Sequence, residues 1–171
     1  TARTVGGLEE VDDEIQAMGG NATLIPVDLT EMDQIDQMGG AIHERFGRLD
    51  ILVGNAATLG ILSPVAHVTP AVWEKTIALN TTVNYRLIRS FDPLLRRSNA
   101  GRAIFVTSGA AKRSFPYWGP YSVGKAALEA LEDALPSRNR QSWRDELAAA
   151  RKIFEGQSEE YYNLGLKYSA D

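Results

Sequence analysis

Apolar side chains recur along this chain at helical intervals in some stretches and as short unbroken runs in others. One stripe steps by three and four residues, which predicts an amphipathic helix that ends at the glycines 19–20. Its members are Val5, Leu8, Val11, Ile15 and Met18. A second stripe predicts another helix, which begins with a capping box at Thr30 and Asp33 and ends at Gly47. Its members are Ile35, Met38, Ile42 and Phe46.

Short apolar runs between these stripes have the length of buried strands. They cover residues 22–27, 49–54 and 103–107, and residues 1–3 look like the end of one more strand. Thr69 and Pro70 supply N-cap and N1 residues for a long helix that runs to about Leu95. A further helix is predicted from Pro120 to Leu135. Strands that alternate with helices predict a parallel sheet covered on both faces, and right-handed crossovers make it a doubly wound, Rossmann-like α/β fold.

Composition excludes several classes of function. The chain has 171 residues, a net charge of −4 and no cysteine. It therefore has no basic field to attract nucleic acid or an anionic membrane, and no disulfide, thiolate metal site or cysteine nucleophile. No apolar run approaches the roughly 20 residues of a membrane span, and no signal peptide is present, so we expect a cytoplasmic protein. His43 and His67 lack metal-ligand spacing, and we expect no metal site.

The most informative residues are four polar side chains in a fixed order. Tyr121 and Lys125 lie four residues apart, so a helix presents both on one face. A cation beside a phenol lowers the pKa of the phenol toward the range where general acid/base catalysis is efficient. Ser108 follows the strand at 103–107, and ligands of open α/β sheets bind at such strand ends. Asn80 falls within the long helix.

The order and spacing of these residues resemble the Asn-Ser-Tyr-Lys tetrad of the short-chain dehydrogenases/reductases. The steps are 28 residues from Asn80 to Ser108 and 13 from Ser108 to Tyr121, as in that family. Val27-Asp28-Leu29 resembles the family's adenine-contacting Asp after a strand. The run 49–57 resembles its strand followed by an Asn-Asn-Ala-Gly turn, with Gly54 and Ala57 in place of the usual Asn and Gly.

The resemblance implies a role for each member of the tetrad. Tyr121 would protonate a carbonyl oxygen or deprotonate an alcohol as hydride moves. Lys125 would assist Tyr121 and hold the nicotinamide ribose, Ser108 would bind the substrate oxygen, and Asn80 would anchor a water behind Lys125. The alternatives are ordinary structural roles: a half-buried tyrosine, a solvated lysine, a serine in a turn and a buried amide that satisfies the backbone.

The resemblance also implies a nicotinamide cofactor. Its binding residues would be Tyr121, Lys125, Asp28 with Leu29, and Asn55-Ala56-Ala57. Arg3 stands where the family often distinguishes its cofactors, and an arginine there favours the phosphate of NADP over the free ribose of NAD. A random surface arginine near a chain terminus is the alternative. Tyr117 and Trp118 precede the Tyr-Lys helix, and we expect them to shape a substrate wall or to pack in the core.

Two departures from the family make the predicted fold incomplete. The chain starts after the family's first strand and its glycine-rich turn, which cradles the cofactor pyrophosphate. From about residue 136 it also lacks the family's later strand and Pro-Gly turn. We therefore divide it into a partial Rossmann-like core at 1–135 and a helical tail at 136–171. The tail carries one helical stripe, formed by Trp143, Leu147, Ala150 and Phe154, and a second short helix is predicted to carry Tyr161, Leu164 and Tyr168.

Two functions remain open at this point. The first is an NAD(P)-dependent oxidoreductase that moves hydride between nicotinamide and a small carbonyl or alcohol substrate, acting as a homo-oligomer (a dimer or tetramer). The second is a non-catalytic remnant of the family that binds a partner or associates with itself.

Cofactor binding separates these two functions. We expect weak or absent NADPH binding by the 171-residue chain, because it lacks both the glycine-rich turn for the pyrophosphate and the Pro-Gly turn for the nicotinamide. A version extended upstream through the glycine-rich turn should bind. Calorimetry or NADPH fluorescence measures both, and micromolar binding by the shorter chain would contradict the prediction.

Overall fold

The computed structural model describes residues 1–135. By their contacts, the residues of the chain divide into Thr1–Leu131 and Glu132–Asp171, and the fold below is that of the first unit. The predicted tail helices lie outside the described residues. The helices are α1 (Val5–Ala17), α2 (Met32–Phe46), α3 (Pro70–Ile77), α4 (Val83–Leu95) and α5 (Gly119–Asp133). The strands are β1 (Ile51–Gly54) and β2 (Arg102–Phe105).

The two strands pair in parallel, as the alternation of strands and helices predicts. Ile51 lies opposite Arg102, and Gly54 lies opposite Phe105. A last ladder bond runs from the Val106 N–H to the Gly54 carbonyl at 3.0 Å. Leu52 and Phe105 turn toward α2 and α4 and enter a core of buried apolar side chains. Its other buried members are Val27, Ile35, Met38, Val83, Leu87, Phe91, Leu94 and Leu128.

The other face of this strand pair is exposed in the structure. Ile51 and Val53 keep 54% and 55% of their surface accessible, and Ile104 keeps 36%. Because strand residues alternate between faces, the same register that buries Leu52 exposes these three.

Helix ends follow the predicted signals with one exception. The Thr69 hydroxyl accepts from the Val72 N–H at 3.4 Å, and Pro70 occupies the first turn of α3. Gly47 ends α2 in the left-handed conformation with φ 71°, which glycine adopts without steric cost. The capping box predicted at Thr30 and Asp33 is wrong. Glu31 is the N-cap residue of α2 and makes no side-chain cap.

The strand predicted at residues 22–27 is reduced to a single bridge. Ala2 pairs in parallel with Pro26, and the Val27 N–H donates to the Ala2 carbonyl at 2.9 Å. Because the neighbouring Val27 N–H makes this bond and alternate strand residues direct their N–H groups to opposite edges, the missing N–H of Pro26 lies on the edge away from Ala2, where proline is tolerated. The bridge still places residues 1–3 beside residues 25–28, as the α/β pattern requires.

The long helix predicted from residue 70 to about Leu95 is present, and it contains a wider turn. Between α3 and α4, residues Ala78–Thr82 form a π-helical turn with Asn80 at its centre. Single π turns occur where one extra residue is accommodated in a helix, frequently at functional sites. None of the helices described here is long and apolar enough to cross a membrane.

Ion pairs and hydrogen bonds join α2 to α4. Arg86 Nη2 lies 2.6 Å from Asp36 Oδ2 and 3.1 Å from the Met32 carbonyl oxygen. Ser90 donates its hydroxyl to Asp36, and this bond is the main cause that lowers the pKa of Asp36. These contacts fix the two helices that carry most of the core against each other.

Gly54 offers a test of how tightly the strand pair packs. A Cβ at this position would overlap the Phe105 ring and lie 2.6 Å from Asn84 Oδ1, and both neighbours are buried. We expect Gly54→Ala to lower the free energy of unfolding by about 1–3 kcal/mol, measured by urea denaturation.

The matched control is Gly40→Ala within α2. Gly40 has no heavy atom within 4 Å of an added Cβ, so alanine should stabilise the helix by about 0.5–1 kcal/mol. Equal effects of the two substitutions would contradict the packing described for Gly54.

Candidate active site

The predicted tetrad lies around the carboxyl ends of the two strands. Residues 55–57 follow β1, and residues 106–108 follow β2. The helix α5 carries Tyr121 and Lys125 on one face, and the π turn carries Asn80.

Asn80 holds the chain just beyond the end of β1. Its side chain is fully buried. Oδ1 accepts from the Thr58 N–H at 2.8 Å, and Nδ2 donates to the Thr58 carbonyl at 2.9 Å. The carboxamide thus pairs with Thr58 as a strand neighbour would. It fixes the segment that follows Asn55, Ala56 and Ala57.

Asn80 also packs directly against α5. A Cβ at Gly124 would lie 2.9 Å from the Asn80 Cβ, closer than two carbon atoms approach in practice. The Thr81 hydroxyl donates to the Gly124 carbonyl at 3.0 Å. Glycine at 124 therefore lets the π turn approach α5 at the residue that precedes Lys125.

Lys125 is buried, with 2% of its surface exposed. Its ammonium group donates to the Val106 carbonyl at 2.6 Å. The Nζ atom lies 5.9 Å from the centre of the Tyr121 ring, within the range of a cation–π contact. The structure places Lys125 between the Tyr121 ring and the end of β2, and not on the solvated face of the helix.

Tyr121 belongs to a row of three aromatic rings. Its ring centre lies 5.8 Å from that of Trp118, at an edge-on angle of 70°. Trp118 in turn lies 5.7 Å from Phe115. Tyr117 has φ 70°, an uncommon conformation for a residue with a side chain, and its carbonyl accepts from the Ser63 N–H at 3.0 Å. Trp118 therefore touches the predicted catalytic tyrosine, while Tyr117 is half-exposed.

Ser108 begins the turn after β2. Its backbone is extended, and its hydroxyl oxygen accepts from the Ala110 N–H at 3.2 Å. That bond is the structural role expected of a turn serine. Ser108 lies two residues beyond the Val106 carbonyl that Lys125 binds. Its contact with a substrate oxygen stays a prediction.

The predicted adenine side has its own electrostatic arrangement. Asp28 Oδ1 accepts from the Thr30 N–H at 2.9 Å and from the Thr30 hydroxyl at 2.7 Å. These bonds are the main causes that lower the pKa of Asp28, and the charges of Arg3 and Lys75 add to them. The Ala2–Pro26 bridge brings Arg3 and Asp28 to the same edge. Leu29 packs against the core.

Sequence reasoning did not identify the contacts that join these residues. Thr58, Gly124 and Val106 bind or contact members of the tetrad mainly through backbone atoms. Every residue has a backbone carbonyl, so the sequence does not indicate which carbonyls accept these hydrogen bonds.

Comparison with known proteins identifies the family. The sequence profile of the short chain dehydrogenase family matches residues 1–142. The chain belongs to this family. The match includes the tetrad positions and the residues of the predicted adenine side.

Individual relatives of this chain are named oxidoreductases. An uncharacterized oxidoreductase of Mycobacterium tuberculosis H37Rv is 33% identical over 138 residues, covering 78% of this chain and 40% of the relative. A fatty acyl-CoA reductase of the same organism is 35% identical over 134 residues, covering 76% of this chain and 45% of the relative. The chain thus spans less than half the length of these curated relatives.

Solved structures show the same Rossmann fold. An alcohol dehydrogenase from Thermococcus sibiricus, complexed with 5-hydroxy-NADP, has a TM-score of 0.71 and 29% identity. That match covers 76% of this chain and 55% of the other. A short chain dehydrogenase from Escherichia coli CFT073, complexed with NADPH, has a TM-score of 0.75 and 26% identity. It covers 81% of this chain and 59% of the other. The predicted α/β fold is confirmed as an incomplete form of this one.

The bonds at Asp28 predict a pH-dependent stability. Because Thr30 lowers the pKa of Asp28 below its ordinary value of 3.8, the bonds stabilise the fold above that pH. This stabilisation is lost as the pH falls through the lower folded-state pKa. Thr30→Val should therefore destabilise the protein at neutral pH, and the difference from the wild type should shrink below about pH 3.8.

Urea denaturation across this pH range measures the difference. Thr30→Ser keeps the hydroxyl and serves as the matched control, with little change expected at any pH. If the free energies of unfolding of the wild type and Thr30→Val differed by a constant amount from neutral to strongly acidic pH, the stabilising role of the Thr30–Asp28 bonds would be rejected.

Proposed function

We propose that the protein acts as an NADP-dependent oxidoreductase on a small carbonyl or alcohol substrate. The observation that carries the proposal is the burial of the Lys125 ammonium beside the Tyr121 ring, on the helix face that packs against Asn80. A buried cation is costly unless it is hydrogen-bonded, and it is typical of a working site rather than of a helix surface.

The described residues fit both ends of a nicotinamide dinucleotide. Arg3 and Asp28 lie at one strand edge, where the arginine could donate hydrogen bonds to a ribose phosphate and the carboxylate could contact the adenine. Tyr121 and Lys125 supply hydroxyl and ammonium donors for the nicotinamide ribose. Asn55, Ala56 and Ala57 follow β1 toward the same side. The cofactor, when bound, supplies or accepts the hydride.

Each member of the tetrad then has a distinct task. The phenolic oxygen of Tyr121 gives a proton to the substrate oxygen during reduction, or takes it during oxidation. The Lys125 ammonium lies beside the Tyr121 ring and can hold the hydroxyls of the nicotinamide ribose. The Ser108 hydroxyl hydrogen-bonds the substrate oxygen and orients it. Asn80 keeps the π turn against α5, so that Lys125 stays in position.

NADP is favoured over NAD by two observations. Arg3 is the charged residue at the end of the first described segment, next to Asp28. Solved relatives are complexed with NADPH and with 5-hydroxy-NADP. Both agree with a phosphate-bearing cofactor, and NAD remains the second choice.

A non-catalytic association module is the competing function. The exposed apolar side chains of Ile51, Val53 and Ile104 lie on one face of the strand pair, and exposed apolar patches often mark contact surfaces. This function predicts that the protein, even in a form that binds the cofactor, catalyses no NADPH-dependent turnover.

Removing the phenolic hydroxyl tests the enzyme function. In a form of the protein that binds the cofactor, Tyr121→Phe should reduce turnover by about 10²–10⁴-fold, since the proton donor is lost. NADPH affinity, measured by calorimetry, should change little. Reduction of a panel of small ketones and aldehydes, followed by NADPH absorbance, measures turnover.

Tyr85→Phe is the matched control. Tyr85 is a half-exposed tyrosine on α4, outside the tetrad, and its hydroxyl should be dispensable. Undiminished turnover in Tyr121→Phe would rule out the assigned proton donor, whereas no turnover at all by the wild-type protein in its cofactor-binding form would favour the association module.

A further inference from the structure

Two residues outside the tetrad connect the end of β2 to α5. The Thr107 hydroxyl donates to Glu129 Oε1 at 3.0 Å. Both residues are partly buried, and they come from segments 22 positions apart in sequence. Thr107 immediately precedes Ser108, and Glu129 lies one helical turn beyond Lys125.

The segment 106–108 needs such a contact. The ladder between β1 and β2, as far as the chain is described, ends with the Val106 N–H bond to Gly54. Beyond this point the chain turns through Ser108 into a short 3₁₀ turn at Gly109–Ala111. Strand pairing therefore does not fix the position of Ser108.

Two side chains of α5, one helical turn apart, contact the segment 106–108 where strand pairing no longer holds it. Residues four apart on a helix share a face. Lys125 binds the Val106 carbonyl at 2.6 Å, and Glu129 binds the Thr107 hydroxyl. A carboxylate acceptor makes a stronger bond than a neutral one. The helix that carries Tyr121 thus also holds the two residues that precede Ser108.

We propose that Thr107 and Glu129 are positioning residues, which hold Ser108 at a fixed place relative to α5. This inference rests on the proposed function for its catalytic consequence. In the proposed function Lys125 also assists Tyr121 and holds the nicotinamide ribose. The Thr107–Glu129 bond has no such second role and acts on the segment 106–108. Lys112 lies 4.0 Å from Glu129 Oε2, but its side chain is 61% exposed, and such a pair contributes little.

An NMR measurement tests the positioning directly and needs no cofactor. The Ala110 N–H donates to the Ser108 hydroxyl oxygen, so its amide resonance and exchange rate report where Ser108 lies. In the full chain, Ser108→Ala should shift the resonance and speed the exchange. Thr107→Val keeps the shape of the side chain and removes the donor. It should produce at least half of the same shift.

Two control variants separate the bond from general effects. Thr107→Ser keeps the donor and should restore the wild-type resonance. Lys112→Gln removes only the exposed ion pair and should leave the resonance unchanged. Should Thr107→Val fail to fold, Glu129→Ala removes the acceptor from the other side and should give the same shift. An unaltered Ala110 amide in a folded Thr107→Val or Glu129→Ala protein would overturn the proposal.

Turnover supplies the catalytic readout in a form that binds the cofactor. Thr107→Val should lower kcat roughly tenfold, with little change in the KM for NADPH and with recovery in Thr107→Ser. If Tyr121→Phe abolishes turnover but Thr107→Val does not reduce kcat, the positioning role is wrong and the proposed function stands. If Tyr121→Phe leaves turnover intact, the proposed function fails, and the Ala110 amide alone decides whether the pair positions Ser108.

Discussion

The buried ammonium of Lys125 is the constraint on which the candidate site depends. A charge removed from water must find hydrogen-bond acceptors, because an unsatisfied buried ion costs several kcal/mol. The Val106 carbonyl is one such acceptor, and it can serve because the ladder bonds of β2 end at this residue. This hydrogen bond therefore joins α5 to β2 at the residue where the strand stops pairing. It brings the face of α5 that carries Tyr121 to the end of β2.

The sequence predicted the family of the chain better than the contacts within the candidate site. Four residue types in a fixed order indicated the family, and the family profile agrees over residues 1–142. Helix ends were predictable because caps are local: Thr69, Pro70 and Gly47 act within one turn of their own position. The bonds of Asn80 to Thr58 and of Lys125 to Val106 were not predictable, because they join distant segments through backbone atoms.

Two predictions about residues 22–33 differ from the structure, and the first has a local cause. Thr30 and Asp33 have the spacing of a capping box, but Asp28 binds Thr30 first, through both its N–H and its hydroxyl. A nearby carboxylate thus competed with the helix for the same side chain. The run at 22–27 has the composition of a strand, yet it pairs with residues 1–3 only at the Ala2–Pro26 bridge.

Gly54 shows how a departure from the family can be compensated elsewhere in the chain. The resemblance leads one to expect Asn at this position, and the structure has no room for its Cβ beside Phe105 and Asn84. Asn84 Oδ1 fills that space, and its Nδ2 donates to the Asn80 carbonyl at 2.9 Å. The carboxamide beside Gly54 is thus supplied by α4. Because the same Asn84 donates to the Asn80 carbonyl, the packing beside Gly54 is connected directly to the π turn that contacts α5.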